Sequence, residues 1–107
     1  MDADLFGDIA TQYSGRLLRA PEVRTKVIDH EGHTVPVLCM DIESDSPARL
    51  PIHVEQPYPA DQHDQAQAMA RRMSKGMQVT VIAPIVGVRL MVCNATQVHP
   101  HLEKEPS

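Results

Sequence analysis

Aromatic side chains are nearly missing from this chain of 107 residues, which has no Trp, one Phe and two Tyr. The hydrophobic fraction of 42% is nevertheless enough to form a core at this length. That core must be aliphatic, built from Val, Ile, Leu and the six Met residues. The length predicts one small domain.

The chain also lacks an excess of positive charge. Ten Lys and Arg residues are outweighed by 14 Asp and Glu residues, so the formal net charge is -4. Proteins that bind nucleic acid without sequence preference usually carry a basic excess. The overall balance therefore argues against a strongly basic binding surface, but it leaves room for a local cluster of cations.

Motifs of familiar enzyme and cofactor sites are missing as well. The sequence has no Gly-rich phosphate loop, no GxSxG motif and no CxxC motif. His30 and His33 lie in a DHEGHT stretch, but a metal site normally takes ligands from further elements, so a solvated turn is predicted at Asp29–Thr34. We therefore expect no enzyme activity, no cofactor and no metal site.

Only two cysteines are present, Cys39 and Cys93, and both lie in apolar, strand-like stretches. They are predicted to be buried thiols, with a disulfide as the alternative. The N-terminal stretch is acidic and lacks the basic start and apolar core of a signal peptide. This predicts a protein of the reducing cytoplasm.

The most apolar stretch runs from Met77 to Val98 and has one charged residue, Arg89. Its Val, Ile and Thr residues favour strands. A Pro-x-x-Gly sequence near its middle predicts a turn between two strands, Met77–Pro84 and Val88–Val98. A transmembrane helix is the competing interpretation at this length, and the polar residues together with the central Pro-x-x-Gly argue against it.

Three further strands are predicted upstream of this stretch. Thr11–Ile28 is strand-like but is interrupted by Gly15 and Pro21, so it is interpreted as one long, bent strand. Val35–Glu43 and Leu50–Gln56 alternate apolar and polar residues, which is typical of half-buried strands.

One helix is predicted, at Asp61–Lys75. Asp61 is a suitable N-cap residue, and Gly76 is predicted to end the helix as its C′ residue. An apolar stripe at helical spacing should face the core. Its members are Ala66, Met69, Ala70 and Met73.

The order of elements predicts the fold class. An all-β domain with one helix, and with three strands before the helix and two after it, is the pattern of a five-stranded OB-fold Greek-key barrel with the helix between strands 3 and 4. The predicted domain spans residues 11–99. Residues 1–10 are predicted to be a flexible N-terminus and residues 100–107 a disordered tail.

Two stretches resemble a known family. GRLLRAPEVR, at Gly15–Arg24, is similar to the first strand of the bacterial single-stranded DNA-binding protein family and its primosomal replication relative. RRMSKGMQVTVIA, at Arg71–Ala83, is similar to that family's helix end, Lys-Gly turn and fourth strand. The resemblance extends over Tyr13–His99. It implies an OB-fold that binds single-stranded DNA or RNA, acts in replication or recombination, and forms a homodimer or homotetramer without contacting a membrane.

The distribution of basic residues predicts which side chains would contact nucleic acid. Four of the ten Lys and Arg residues fall in the bent first strand, which is the densest positive charge in the chain. Basic side chains would contact phosphates, and Tyr58 would stack on a base. The predicted phosphate contacts are Arg16, Arg19, Arg24, Lys26, Arg49 and Arg89.

A second hypothesis keeps the fold and changes the ligand. Members of the resembled family stack bases on aromatic residues of the barrel face and of long loops, whereas aromatic residues are scarce here and the predicted loop Ser44–Ala48 is short. Pro84–Val92 carries apolar residues on both strand faces, which is more than one core face requires. An OB-fold module for protein interaction or dimerisation, with little or no nucleic-acid binding, is therefore the alternative.

Overall fold

A computed structural model describes residues 9–91 and 93–101. These residues form a mostly β domain in which five strands make one antiparallel sheet and one helix packs against it. Most of the predicted flexible N-terminus and of the predicted tail lies outside the described residues. The elements are β1 (Ala10–Leu17), β2 (Glu22–Val27), β3 (Thr34–Ser44), β4 (Pro51–Pro57), α1 (His63–Arg71), β5 (Gln78–Pro84) and a short 3-10 turn at Ile85–Gly87.

The longest strand, β3, lies at the centre of the sheet. One edge of β3 pairs with β2 and, further along, with the end of β1, and its other edge pairs with β4. The opposite edge of β1 pairs with β5. The predicted bent first strand is thus observed as two strands on one edge of β3, separated by a break at residues 18–21 that contains Pro21.

The sheet formed by the described residues is open. β5 matches the first half of the predicted apolar hairpin, but residues 88–91 and 93–98 form no strand, so the prediction of a strand at Val88–Val98 is wrong for this chain. Asn94 has a φ of 59°, which interrupts an extended backbone. Leu90 and Met91 are almost fully exposed, because no described neighbouring strand covers them.

The core is aliphatic, as predicted. Three alternate residues of β3, namely Leu38, Met40 and Ile42, form its centre together with Leu17 of β1. The helix contributes three residues of the predicted stripe: Ala66 is fully buried, and Met69 and Ala70 pack against the core. The fourth, Met73, also packs against the core but follows the end of the helix. The outer face of the sheet is defined here as the face opposite to Leu38, Met40 and Ile42.

The helix is shorter than predicted, and the residues at its two ends differ from the predicted cap residues. Gln62, not Asp61, is the N-cap residue, and it makes no side-chain cap hydrogen bond. Gly76 lies in a turn after the helix, where its N–H donates to the carbonyl oxygen of Leu17 at 2.8 Å, so it anchors the loop to β1. No helix among the described residues is long and apolar enough to cross a membrane.

The two cysteines have different surroundings. Both are free thiols; Cys39 is buried, as predicted, with 6% of its surface exposed. Cys93 is exposed, so the prediction of burial is wrong there, because the strand that was expected to bury it does not form.

Candidate nucleic-acid interface

Three of the predicted phosphate contacts lie on the outer face of the sheet. Residues that are directly opposite each other on antiparallel strands point to the same face. Arg16 is opposite Glu43, and Arg24 and Lys26 are opposite Val37 and Val35. Alternation along β3 places all of these partners on the side away from Ile42 and the core.

Arg16 and Arg49 line one cleft at the end of β3. The cleft has a volume of about 240 Å³ and is also lined by Glu43, Ser44 and Asp45. The backbone N–H of Arg49 donates to the carbonyl oxygen of Ser46 at 2.9 Å, so a tight turn holds Arg49 at the rim. The two cations thus meet in a polar cleft that has room for several water molecules.

Arg19 and Arg24 line a second, smaller cleft, together with Asp41 and His53. Arg19 Nε lies 3.4 Å from an Asp41 carboxylate oxygen, and Arg24 donates to Glu22 at 3.2 Å. This hydrogen bond to the Glu22 carboxylate raises the pKa of Arg24 above its ordinary value. Both cations are therefore held in ion pairs, and both are exposed.

A chain of polar contacts crosses the outer face between β2, β3 and β4. His53 Nδ1 lies 2.8 Å from Asp41 Oδ1, and His53 Nε2 lies 2.9 Å from Glu55 Oε2. The hydrogen bond with Asp41 and then that with Glu55 raise the pKa of His53. Glu55 Oε1 accepts a hydrogen bond from Lys26, and this contact, followed by that with His53, lowers the pKa of Glu55.

Sequence reasoning missed this cluster of polar residues. Alternation along the two strands places His53 and Glu55 on one face of β4, and Cys39 and Asp41 on one face of β3, although the sequence predicts Cys39 to be a buried thiol. Their meeting depends on the register, which pairs Cys39 with Glu55 and Asp41 with His53. Alternation alone does not specify a register, so the signal was only that polar residues occupy the same face of two consecutive strands.

Tyr58 and Arg89 are placed differently from the other predicted contacts. Tyr58 follows β4, packs partly against the core and donates a hydrogen bond to Gln56 Oε1 at 3.3 Å. Arg89 is exposed in the segment after the 3-10 turn, outside the strands. The structure therefore brings together Arg16 with Arg49 and Arg19 with Arg24, and it does not join Tyr58 or Arg89 to either described cleft.

The DHEGHT stretch forms the turn between β2 and β3. Asp29 Oδ1 accepts hydrogen bonds from the backbone N–H groups of Glu31 at 2.9 Å and His33 at 3.1 Å. The contact of Asp29 Oδ2 with His33 Nδ1, at 2.5 Å, is the main cause of the lowered pKa of Asp29. Its carboxylate closes a solvated turn, as the sequence predicted.

Comparison with models of protein families, with curated proteins and with solved structures finds no match to this chain.

Proposed function

We propose that this chain is a non-enzymatic domain that binds single-stranded DNA, or alternatively RNA, along the outer face of its sheet. The observation that carries the proposal is that Arg16, Arg24 and Lys26 share this face by register. Arg49 and Arg19 extend it, because each lines a cleft beside one of these residues. A role in replication or recombination is part of the same proposal and rests on the family resemblance, and a cytoplasmic location is proposed with it.

Ion pairing does not remove these cations from a binding surface. Exposed ion pairs contribute only about 0–1 kcal/mol each, because water competes with both partners. A nucleic-acid backbone offers several phosphates at once and releases condensed counterions when they are neutralised. Phosphates can therefore replace Glu22 and Asp41 as partners of Arg24 and Arg19 at small cost.

The scarcity of aromatic residues sets the expected strength of binding. Stacking on an aromatic side chain contributes about 1–3 kcal/mol per base in proteins that bind single strands. Only Tyr58 is proposed to stack, and its ring is already partly packed on the core. Binding should therefore be dominated by phosphate contacts and should respond strongly to salt.

Oligonucleotide binding at several salt concentrations tests the proposal directly. We expect the wild-type affinity for a labelled single-stranded oligonucleotide to fall linearly with the logarithm of salt concentration. Arg16→Ala, Arg49→Ala and Arg24→Ala should each flatten the slope by about 0.7, the value for one phosphate contact with a single strand. Fluorescence anisotropy measures this, with matched DNA and RNA oligonucleotides.

Arg71→Ala is the matched control, because Arg71 is an exposed cation in the last turn of α1. It should leave the slope unchanged. No binding at low salt, or an equal change in slope from Arg71→Ala, would contradict the proposal.

We further propose that the fold is of the OB type. In support, β1 and β2 occupy one edge of β3 like the halves of one long strand, and β5 pairs with the other edge of β1. A closed Greek-key barrel would need one more strand between the free edges of β4 and β5. The described residues after Gly87 follow β5 directly but form no strand in the structure, so closure would require part of this segment to pair with a free edge in solution.

A second candidate function, dimerisation or protein interaction, is favoured by exposed apolar residues. Ile82, Val86, Leu90 and Met91 are all exposed, at the end of β5 and in the segment after it. Large apolar side chains close together on a surface commonly mark an interaction site. A second copy of this chain would cover them.

Amide hydrogen exchange of residues 88–98 at several protein concentrations separates closure within one chain from dimerisation. Protection at all concentrations would support a barrel closed within one chain. Protection that grows with concentration, together with a doubled mass in light scattering, would support the dimer. Free exchange at every concentration would contradict both proposals for this segment.

A further inference from the structure

We propose that Cys39, His53 and Glu55 form a binding site for a transition-metal ion of the zinc class on the outer face of β3 and β4. The site does not depend on the proposed binding of nucleic acid. It also departs from the sequence expectation, which included no metal site and treated Cys39 as a buried apolar residue.

The register of two strands brings three different donor atoms together. Cys39 and Glu55 are directly opposite each other, and His53 lies two residues before Glu55 on the same face of β4. Their ligand atoms all lie within 4.8 Å of one another. Tetrahedral zinc places its ligand atoms about 3.5 Å apart, given bonds of about 2.0–2.3 Å. Small rotations of these three side chains would therefore bring their ligand atoms to bonding distance from one ion.

The donor atoms suit zinc better than magnesium or calcium. A thiolate, an imidazole and a carboxylate are typical zinc ligands, whereas magnesium and calcium take oxygen ligands almost exclusively. Three protein ligands leave the fourth position open for a water molecule or for a group from a binding partner. Binding requires Cys39 to lose its proton to solvent as the metal–sulfur bond forms.

Asp41 orients the imidazole for this role. Its contact with His53 Nδ1, at 2.8 Å, leaves Nε2 as the nitrogen that faces Glu55. Histidine ligands of metals usually donate the other ring N–H to a carboxylate or carbonyl, which fixes the tautomer and the ring orientation. Asp41 is therefore a positioning residue rather than a ligand.

A small cleft on the outer face leads to Cys39. Cys39 lines a cleft of about 30 Å³ together with Asp41 and His53, although little of its surface is exposed. This space is sufficient for a water molecule or a single ion. Glu55 also remains available, because Lys26 contacts Oε1 while Oε2 faces His53.

A second cluster of possible ligands provides an internal control. Asp29, Glu31 and His33 are close together on the turn between β2 and β3, but all three are exposed and none supplies sulfur. Asp29 already accepts hydrogen bonds that close the turn. We therefore expect the metal to prefer Cys39 and His53.

Titration of the reduced, metal-free chain with Co²⁺, followed by Zn²⁺ displacement, tests the site. We expect one ion per chain and a thiolate-to-cobalt charge-transfer band, which reports a metal–sulfur bond. Cys39→Ser should abolish the band, and His53→Gln and Glu55→Gln should each weaken binding by more than tenfold. Asp41→Asn should weaken binding about 10–100-fold, as removal of such orienting partners does.

Cys93→Ser and His33→Gln are the matched controls for the second thiol and the second cluster. Both should leave the band and the affinity unchanged. Circular dichroism checks that each variant is folded, and the exposed positions His53 and Glu55 keep the test informative if Cys39→Ser does not fold. No charge-transfer band in the wild type, or loss of the band in Cys93→Ser, would overturn the proposal, whatever the oligonucleotide assay shows.

Discussion

Gly15→Ala should destabilise the fold by about 3 kcal/mol or more, at or beyond the upper end of the usual cost of overpacking. A Cβ atom at this position would lie 2.2 Å from the carbonyl oxygen of Glu43. Gly15 is paired on both sides, opposite Ser44 of β3 and Val79 of β5. Neither neighbouring strand can move away without breaking hydrogen bonds of the sheet.

Urea unfolding followed by circular dichroism measures this effect, with Gly87→Ala as the control. The nearest atom to a Cβ at Gly87 is Pro84 Cγ at 3.8 Å, which is ordinary contact. The free energy of unfolding should then change by no more than about 0.5 kcal/mol. Similar unfolding midpoints for the two variants would show that the close approach of β1 to Glu43 is not needed for stability.

Ile42→Ala should cost about 2–5 kcal/mol, the range for emptying a fully buried aliphatic position. Ile42 is 0% exposed. It lies where β3 pairs with Leu17 of β1 on one edge and with Ile52 of β4 on the other. The aromatic-poor core has few large side chains that could fill the resulting cavity.

Ile82→Ala is the control of identical chemistry at an exposed position. Ile82 is 68% exposed in β5, so its loss should change the free energy of unfolding by about 0.5 kcal/mol at most. Both variants are measured by the same denaturant titration. A larger loss for Ile82→Ala than for Ile42→Ala would mean that the apolar surface after β5 is covered in solution.

Local sequence signals predicted most of the elements. Alternation identified β3 and β4, helical spacing identified the stripe of α1, and Pro21 marked the break between β1 and β2. These signals extend over only a few residues, so they can be recognised without knowing which other strands or helices each element packs against. The strand predicted at Val88–Val98 failed because strand formation also requires a neighbour to pair with.

The candidate site was less predictable than the fold. The sequence indicated that Arg19, Arg24 and Lys26 are outward cations, but it did not show that each one meets a carboxylate. Such contacts depend on the register between strands and on the path of the chain through the break after Leu17. The approach of Cys39 to His53 and Glu55 depends on the same register.

The pairing of β1 with β5 also has a consequence for how the protein is made. The side chain of Thr11 donates to the carbonyl oxygen of Ala83, 72 residues further along the chain. During synthesis β1 therefore emerges from the ribosome long before its partner is translated. Folds dominated by such distant pairings form slowly, and an unpaired strand can associate with other chains in the meantime. The nascent chain is thus most vulnerable to aggregation while β5 is still being translated, and a chaperone that shields β1 during that interval should raise the yield of folded protein.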